Sequence, residues 1–80
     1  MKKNTKTIVT YDGLLKKDDL YLSKYGGDMV RVLEVIKNDK GVWVANMKYI
    51  DTPMKEGLPL QVIVYDFERM VKWGNWSKLN

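Results

Sequence analysis

The sequence predicts a single, mostly β domain spanning residues 1–80: a small five-stranded barrel or a strongly bent antiparallel sheet, with one helical turn near residues 66–70. Three observations predict it. The runs Met29–Lys37, Val42–Asp51 and Leu60–Asp66 are dense in valine, isoleucine and aromatic side chains, which suit a pleated, half-buried surface. Turn signals rich in glycine, asparagine and aspartate punctuate them. The runs are also apolar on both faces, as strands that wrap a core would be.

Taken in order, residues 1–5 are expected to be frayed. "KTIVTY" (Lys6–Tyr11) is a short β-branched strand ended by Asp12-Gly13. "LLKKDDLYLSKY" admits two readings. Leu14, Leu15, Tyr21, Leu22 and Tyr25 share a helical face, which would give an α+β fold with a helix at 14–25. Asp18 would then sit inside that apolar face and Leu20 would point out. The preferred reading is a strand over Asp19–Tyr25 that turns at Gly26-Gly27, where glycine tolerates the positive φ of a tight hairpin. "NDKG" (Asn38–Gly41) is the next hairpin turn, and "TPMKEGLP" is a loop bounded by Pro53 and Pro59. Asp66 can cap one helical or 3₁₀ turn through "FERM" before a short last strand at Val71–Trp73.

The two-faced character is specific. Over Val42–Ile50, Val42, Val44 and Ile50 oppose Trp43, Ala45, Met47 and Tyr49. Over Leu60–Phe67, Leu60, Val62 and Val64 oppose Ile63, Tyr65 and Phe67. A chain this short supplies about 3–5 kcal/mol of net stability from one core. More apolar strand surface is present than one such core needs, so part of it is expected to meet another molecule.

Composition removes several function classes. The chain has no Cys and no His, which leaves no disulfide, no thiolate or imidazole ligand set for a metal, and none of the usual catalytic bases and nucleophiles. No phosphate-binding glycine motif occurs. No cofactor, metal or catalytic residue is expected. No apolar run approaches the roughly 20 residues of a membrane span. The basic start lacks the apolar stretch of a signal peptide, so a cytoplasmic location is expected and "NWS" (Asn75–Ser77) reads as a chance glycosylation sequon. Net charge is +4. Residues 1–25 hold six lysines against three aspartates, so most of the excess lies there, as a solvated basic arm or a phosphate-contacting one.

The element order resembles a Src-homology-3-like small β-barrel over roughly residues 19–73: strand, "YGGD" hairpin, long strand, "NDKG" hairpin, long strand, Pro-flanked loop, strand, one turn "DFERM", short strand. The peptide-binding signature of the signalling members is missing, so recognition of proline-rich peptides does not carry over. The short, Lys/Asn/Tyr-rich chain is also similar to small phage or mobile-element accessory proteins.

Two binding functions are expected from these residues. The first is protein–protein interaction, with a protein partner or a second copy of the chain as a homodimer, in the manner of a small phage-encoded regulator or inhibitor of a host protein. Its contact residues are Trp76, Trp73, Tyr49, Trp43 and Tyr25, with Lys72 and Lys48 as rim charges, because tryptophan and tyrosine dominate interface energetics. Of the two tryptophans near the end, Trp73 is expected in the core and Trp76 to be the freer. The second is nucleic-acid binding by Tyr21, Lys24, Tyr25, Arg31, Trp43, Lys48 and Tyr49, with aromatics stacking on bases and cations meeting phosphates.

Overall fold

A computed structural model describes residues 11–80. The expected frayed segment 1–5 and nearly all of the expected strand Lys6–Tyr11 lie outside the described residues. The fold is mostly β, as expected: β1 (Leu20–Ser23), β2 (Met29–Lys37), β3 (Trp43–Ile50), β4 (Pro59–Ile63), α1 (Val64–Lys72) and β5 (Trp76–Lys78). The strands form one open antiparallel sheet in the order β4-β3-β2-β1-β5, with β4 and β5 as its edges rather than closed on each other.

Local chemistry sets the hairpins. In β1–β2 the Ser23 amide donates to Asp28 O at 2.8 Å and the Gly27 amide to Ser23 O at 3.1 Å. Gly27 takes φ +70°, where a side chain would be strained. In β2–β3 the Asn38 side-chain oxygen accepts from the amides of Lys40 and Val42, at 2.9 and 3.0 Å. An asparagine carbonyl that bonds its own following backbone pre-forms the turn. The 51–58 loop hangs on Thr52. Its buried hydroxyl donates to Ile50 O at 2.9 Å and accepts from the Met29 amide at 3.0 Å.

No helix forms over 14–25. Asp18 adopts φ +71°, which breaks helical continuity, and β1 is extended. Residues before β1 instead cross the inner sheet face. Leu15 is buried, and the Tyr11 hydroxyl donates to Glu68 Oε2 on α1. The same carboxylate oxygen accepts from the Leu14 amide at 2.8 Å.

The largest departure from expectation is at 64–73. The strand ends at Ile63 rather than Asp66, and the single turn is a nine-residue helix. Val64 and Phe67 are buried on it, with Met70 and Val71 partly buried behind them, a helical spacing. Packing of that stripe overrides the β preference of Val64, Tyr65, Phe67 and Val71. Asp66 in the first turn and Arg69 and Lys72 in the last match the helix dipole. Residues 71–73 therefore end a helix, and the last strand is 76–78. The helix stops in a Schellman motif: the Asn75 amide donates to Met70 O at 2.9 Å and the Gly74 amide to Val71 O at 3.0 Å, with Gly74 at φ +85°. A Cβ at Gly74 would meet nothing within 4 Å. Gly74→Ala therefore isolates backbone strain and should cost about 1 kcal/mol. In urea titration the midpoint should fall with the slope unchanged.

The core lies between α1, the 11–19 crossing and the inner sheet face: Leu15, Tyr21, Val30, Val32, Ala45, Met47, Val64 and Phe67. A register shift between Val32 and Glu34 interrupts β2. Val30 and Val32 point inward before it, Val35 after it, because the extra residue inverts the alternation. The outer face then reads as rows across β2, β3 and β4. Ile36, Val44 and Ile63 form an apolar row. Glu34, Asn46 and Gln61 form a polar ladder, in which Asn46 Nδ2 donates to Glu34 at 2.7 Å and Gln61 Nε2 to Asn46 at 2.8 Å.

Candidate binding surface

Helix α1 has two working sides. Its inner stripe anchors the core. Its outer stripe is Tyr65, Arg69 and Trp73, each four positions from the next, so the three side chains stand one above another. The Arg69 guanidinium carbon lies 5.5 Å from the Tyr65 ring centroid and 4.7 Å from that of Trp73. Both distances are within cation–π range. Tyr65 is 68% exposed and Trp73 65%. Among the described residues Arg69 has no ion-pair partner. The result is a stack of aromatic, cation and aromatic that faces water and contributes nothing to the core.

A second exposed pair lies on the β1–β2 hairpin, whose backbone is bonded to the segment that follows the helix. Lys24 Nζ sits 5.6 Å from the ring centroid of Tyr25, which is 79% exposed at the β1–β2 hairpin. The Lys24 amide donates to Asn75 O at 2.9 Å, two residues beyond Trp73. The hairpin is thus fastened to the chain where α1 turns into β5. Lys72 is exposed beside Trp73 in the last helical turn.

The roles expected of the two tryptophans are exchanged. Trp73, expected in the core, is the exposed cap of the helix. Trp76, expected to be freer, is half-buried on β5 with its ring centroid 5.2 Å from that of Phe67. Gly74 is the cause: its left-handed turn ends the helix and sends the chain back to pair with β1, where Trp76 opposes Ser23. Trp43 and Tyr49 are also half-buried against the core. Lys37 Nζ lies 5.4 Å from the Trp43 ring and Tyr11 packs on it at 5.6 Å. Lys55 Nζ lies 5.2 Å from the Tyr49 ring and pairs with Asp28 at 2.9 Å. Of the expected protein contacts, Trp73 and Lys72 end the helix and Tyr25 is on the hairpin bonded to the segment after it, while Lys48 is on the outer sheet face.

The expected nucleic-acid residues are divided between surfaces. Tyr21 is 0% exposed, its ring edge-on to Phe67 at 5.2 Å, and has no face to offer a base. Arg31 and Lys48 are direct cross-strand partners, exposed on the outer face, whereas Trp43 and Tyr49 lean on the inner one. The described residues carry eleven basic and ten acidic side chains, so most of the full chain's surplus of +4 resides in Lys2, Lys3 and Lys6.

Tyr65 and Arg69 are absent from the expected contacts because the residue types of 60–66 predict a strand. The signal for them is the four-residue spacing Tyr65, Arg69, Trp73, visible only in a helical register. No group of side chains suited to hold a metal ion occurs among the described residues, and no helix among them is long and apolar enough to cross a membrane. Comparison with family models, curated proteins and solved structures found no match.

Proposed function

We propose that this protein is a non-enzymatic binding domain that acts by protein–protein interaction through the outer side of α1. The observation that carries the reading is the exposed Tyr65–Arg69–Trp73 stack. Tryptophan, tyrosine and arginine are the residue types most enriched at energetic hot spots of protein interfaces. Here all three stand together, rigidly mounted, where the fold has no use for them. A domain of this size that covers such a surface on its partner would act by occlusion, as a small phage-encoded regulator or inhibitor of a host protein does. The reading also draws on the element order, β1 to β4 paired in sequence and β5 returning to β1 after a helix, which is similar to that of Src-homology-3-like binding modules.

The test is affinity capture from a host lysate with and without nuclease, using the wild type and Trp73→Ala. The expected result is a nuclease-resistant protein captured by the wild type and weakened about tenfold or more by Trp73→Ala. The melting temperature of the variant should stay within about 3 °C of wild type. Nuclease-sensitive capture, with retention on heparin that falls steeply with salt, would instead favour nucleic acid through Arg31, Lys48 and the N-terminal lysines.

A further inference from the structure

We infer that the α1 stack receives a carboxylate side chain from an acidic segment of the partner protein, held edge-on by Arg69. This rests on the protein-binding reading above and specifies its chemistry. Tyr65 and Trp73 lie before and after the guanidinium along the helix, with ring centroids 5.5 and 4.7 Å from its central carbon. What remains open is the rim of N–H donors, which makes no side-chain hydrogen bond or ion pair among the described residues. A guanidinium held near two rings with its N–H fork free matches a carboxylate by two parallel, charge-assisted hydrogen bonds.

Charge around the stack points the same way. Arg69, Lys72 and Lys24 are exposed, against Asp66 and Glu68 on α1, and the Glu68 carboxylate is turned to the Tyr11 hydroxyl and the Leu14 amide. No ion pair joins Asp66 to Arg69. The local balance is therefore positive and open to an anion. One guanidinium fork set between two aromatic rings suits a single carboxylate with an apolar neighbour. A nucleic-acid strand asks for a repeated row of cations, whereas the described part of the chain is nearly neutral. A partner seated over the two exposed rings would cover the pair and so strengthen it.

The experiment uses the full ¹⁵N-labelled chain and follows the Arg69 side-chain Nε–H and Trp73 indole N–H resonances. The probe is a short peptide of alternating glutamate and leucine; its control replaces each glutamate by glutamine. The glutamate peptide should move both resonances, and the glutamine peptide should bind about tenfold more weakly or worse. Arg69→Lys, which keeps the charge and loses the fork, should weaken the glutamate peptide by a similar factor while its circular dichroism and melting stay as wild type. Equal binding of the two peptides, or full affinity in Arg69→Lys, overturns the inference. So does a short thymidine oligonucleotide that moves the same resonances at lower concentration than the peptide. If the two peptides bind alike while lysate capture still depends on Trp73, the carboxylate chemistry fails and the docking face stands. If capture is indifferent to Trp73, the docking face itself fails.

Discussion

Phe67→Ala is expected to abolish the cooperative folding transition at 25 °C. Phe67 is fully buried and meets two other aromatic rings, Tyr21 edge-on at 5.2 Å and Trp76 tilted at 5.2 Å. It is also the residue by which α1 grips the sheet. Truncating a buried phenylalanine costs about 3–5 kcal/mol, through lost transfer energy and the cavity left behind. One small core without disulfide or metal supplies about the same amount. The variant should therefore show a shallow thermal profile and poorly dispersed amide resonances. Phe67→Leu, which keeps most of the volume, should retain a cooperative melt at lower temperature. A Phe67→Ala protein that melts like wild type would mean that α1 is not required for the fold.

The second large effect is alkaline unfolding between pH 10 and 12. Two phenols are pushed up from their ordinary 10.0 to about 12. For Tyr21 the main cause is burial, with the carboxylates of Asp19 and Glu68 adding to it. For Tyr11 it is again burial, followed by the hydrogen bond its hydroxyl gives to Glu68. In both, the folded state favours the neutral form. That preference acts in full below pH 10, where the unfolded chain is also protonated. It is lost as pH rises toward 12, because the unfolded chain releases protons that the folded chain retains. A tenfold difference in proton affinity between the folded and unfolded chain is worth about 1.4 kcal/mol. Tyr21 alone therefore removes a large share of a reserve of about 3–5 kcal/mol. Tyr21→Phe separates the contributions. The Tyr21 hydroxyl has no hydrogen-bond partner among the described residues, so its removal should leave stability at pH 7 unchanged or raise it by about 1 kcal/mol. The alkaline midpoint, followed by circular dichroism, should move upward. A loss of stability at pH 7 would show that the hydroxyl is bonded.

Much of the sheet was legible because its signals are local. Asn38 and Gly41 write the β2–β3 turn into four consecutive residues, and Gly26-Gly27 do the same for β1–β2. Those two hairpins fix three strands in order and the faces of β3. What was not legible depends on partners distant in sequence. Val64, Tyr65, Phe67 and Val71 prefer strands by type. They form a helix because Val64 and Phe67 reach Tyr21, Val30 and Met47 across the core. The bulge at Leu33 leaves no glycine to mark it, so the inversion of β2 could not be read. The site followed from these two facts. In a strand-and-turn reading of 64–72, Trp73 falls in the core, and Tyr65 and Arg69 have no reason to stand together. Tyr25 is exposed, as a hairpin tip implies, while Lys72, expected in a short last strand, is exposed in the last turn of the helix instead. The expected surplus of apolar surface is present in kind: Ile36, Ile63 and Leu33 remain exposed on or beside the outer face even though α1 covers the inner one.

Helix α1 keeps its two duties on opposite sides of one short backbone, with Val64 and Phe67 holding the sheet and Tyr65, Arg69 and Trp73 turned to solvent. The outward positions can be rewritten by mutation at almost no cost to folding, while the inward ones are held fixed. A lineage built on this plan can vary its exposed helix face without redesigning its interior.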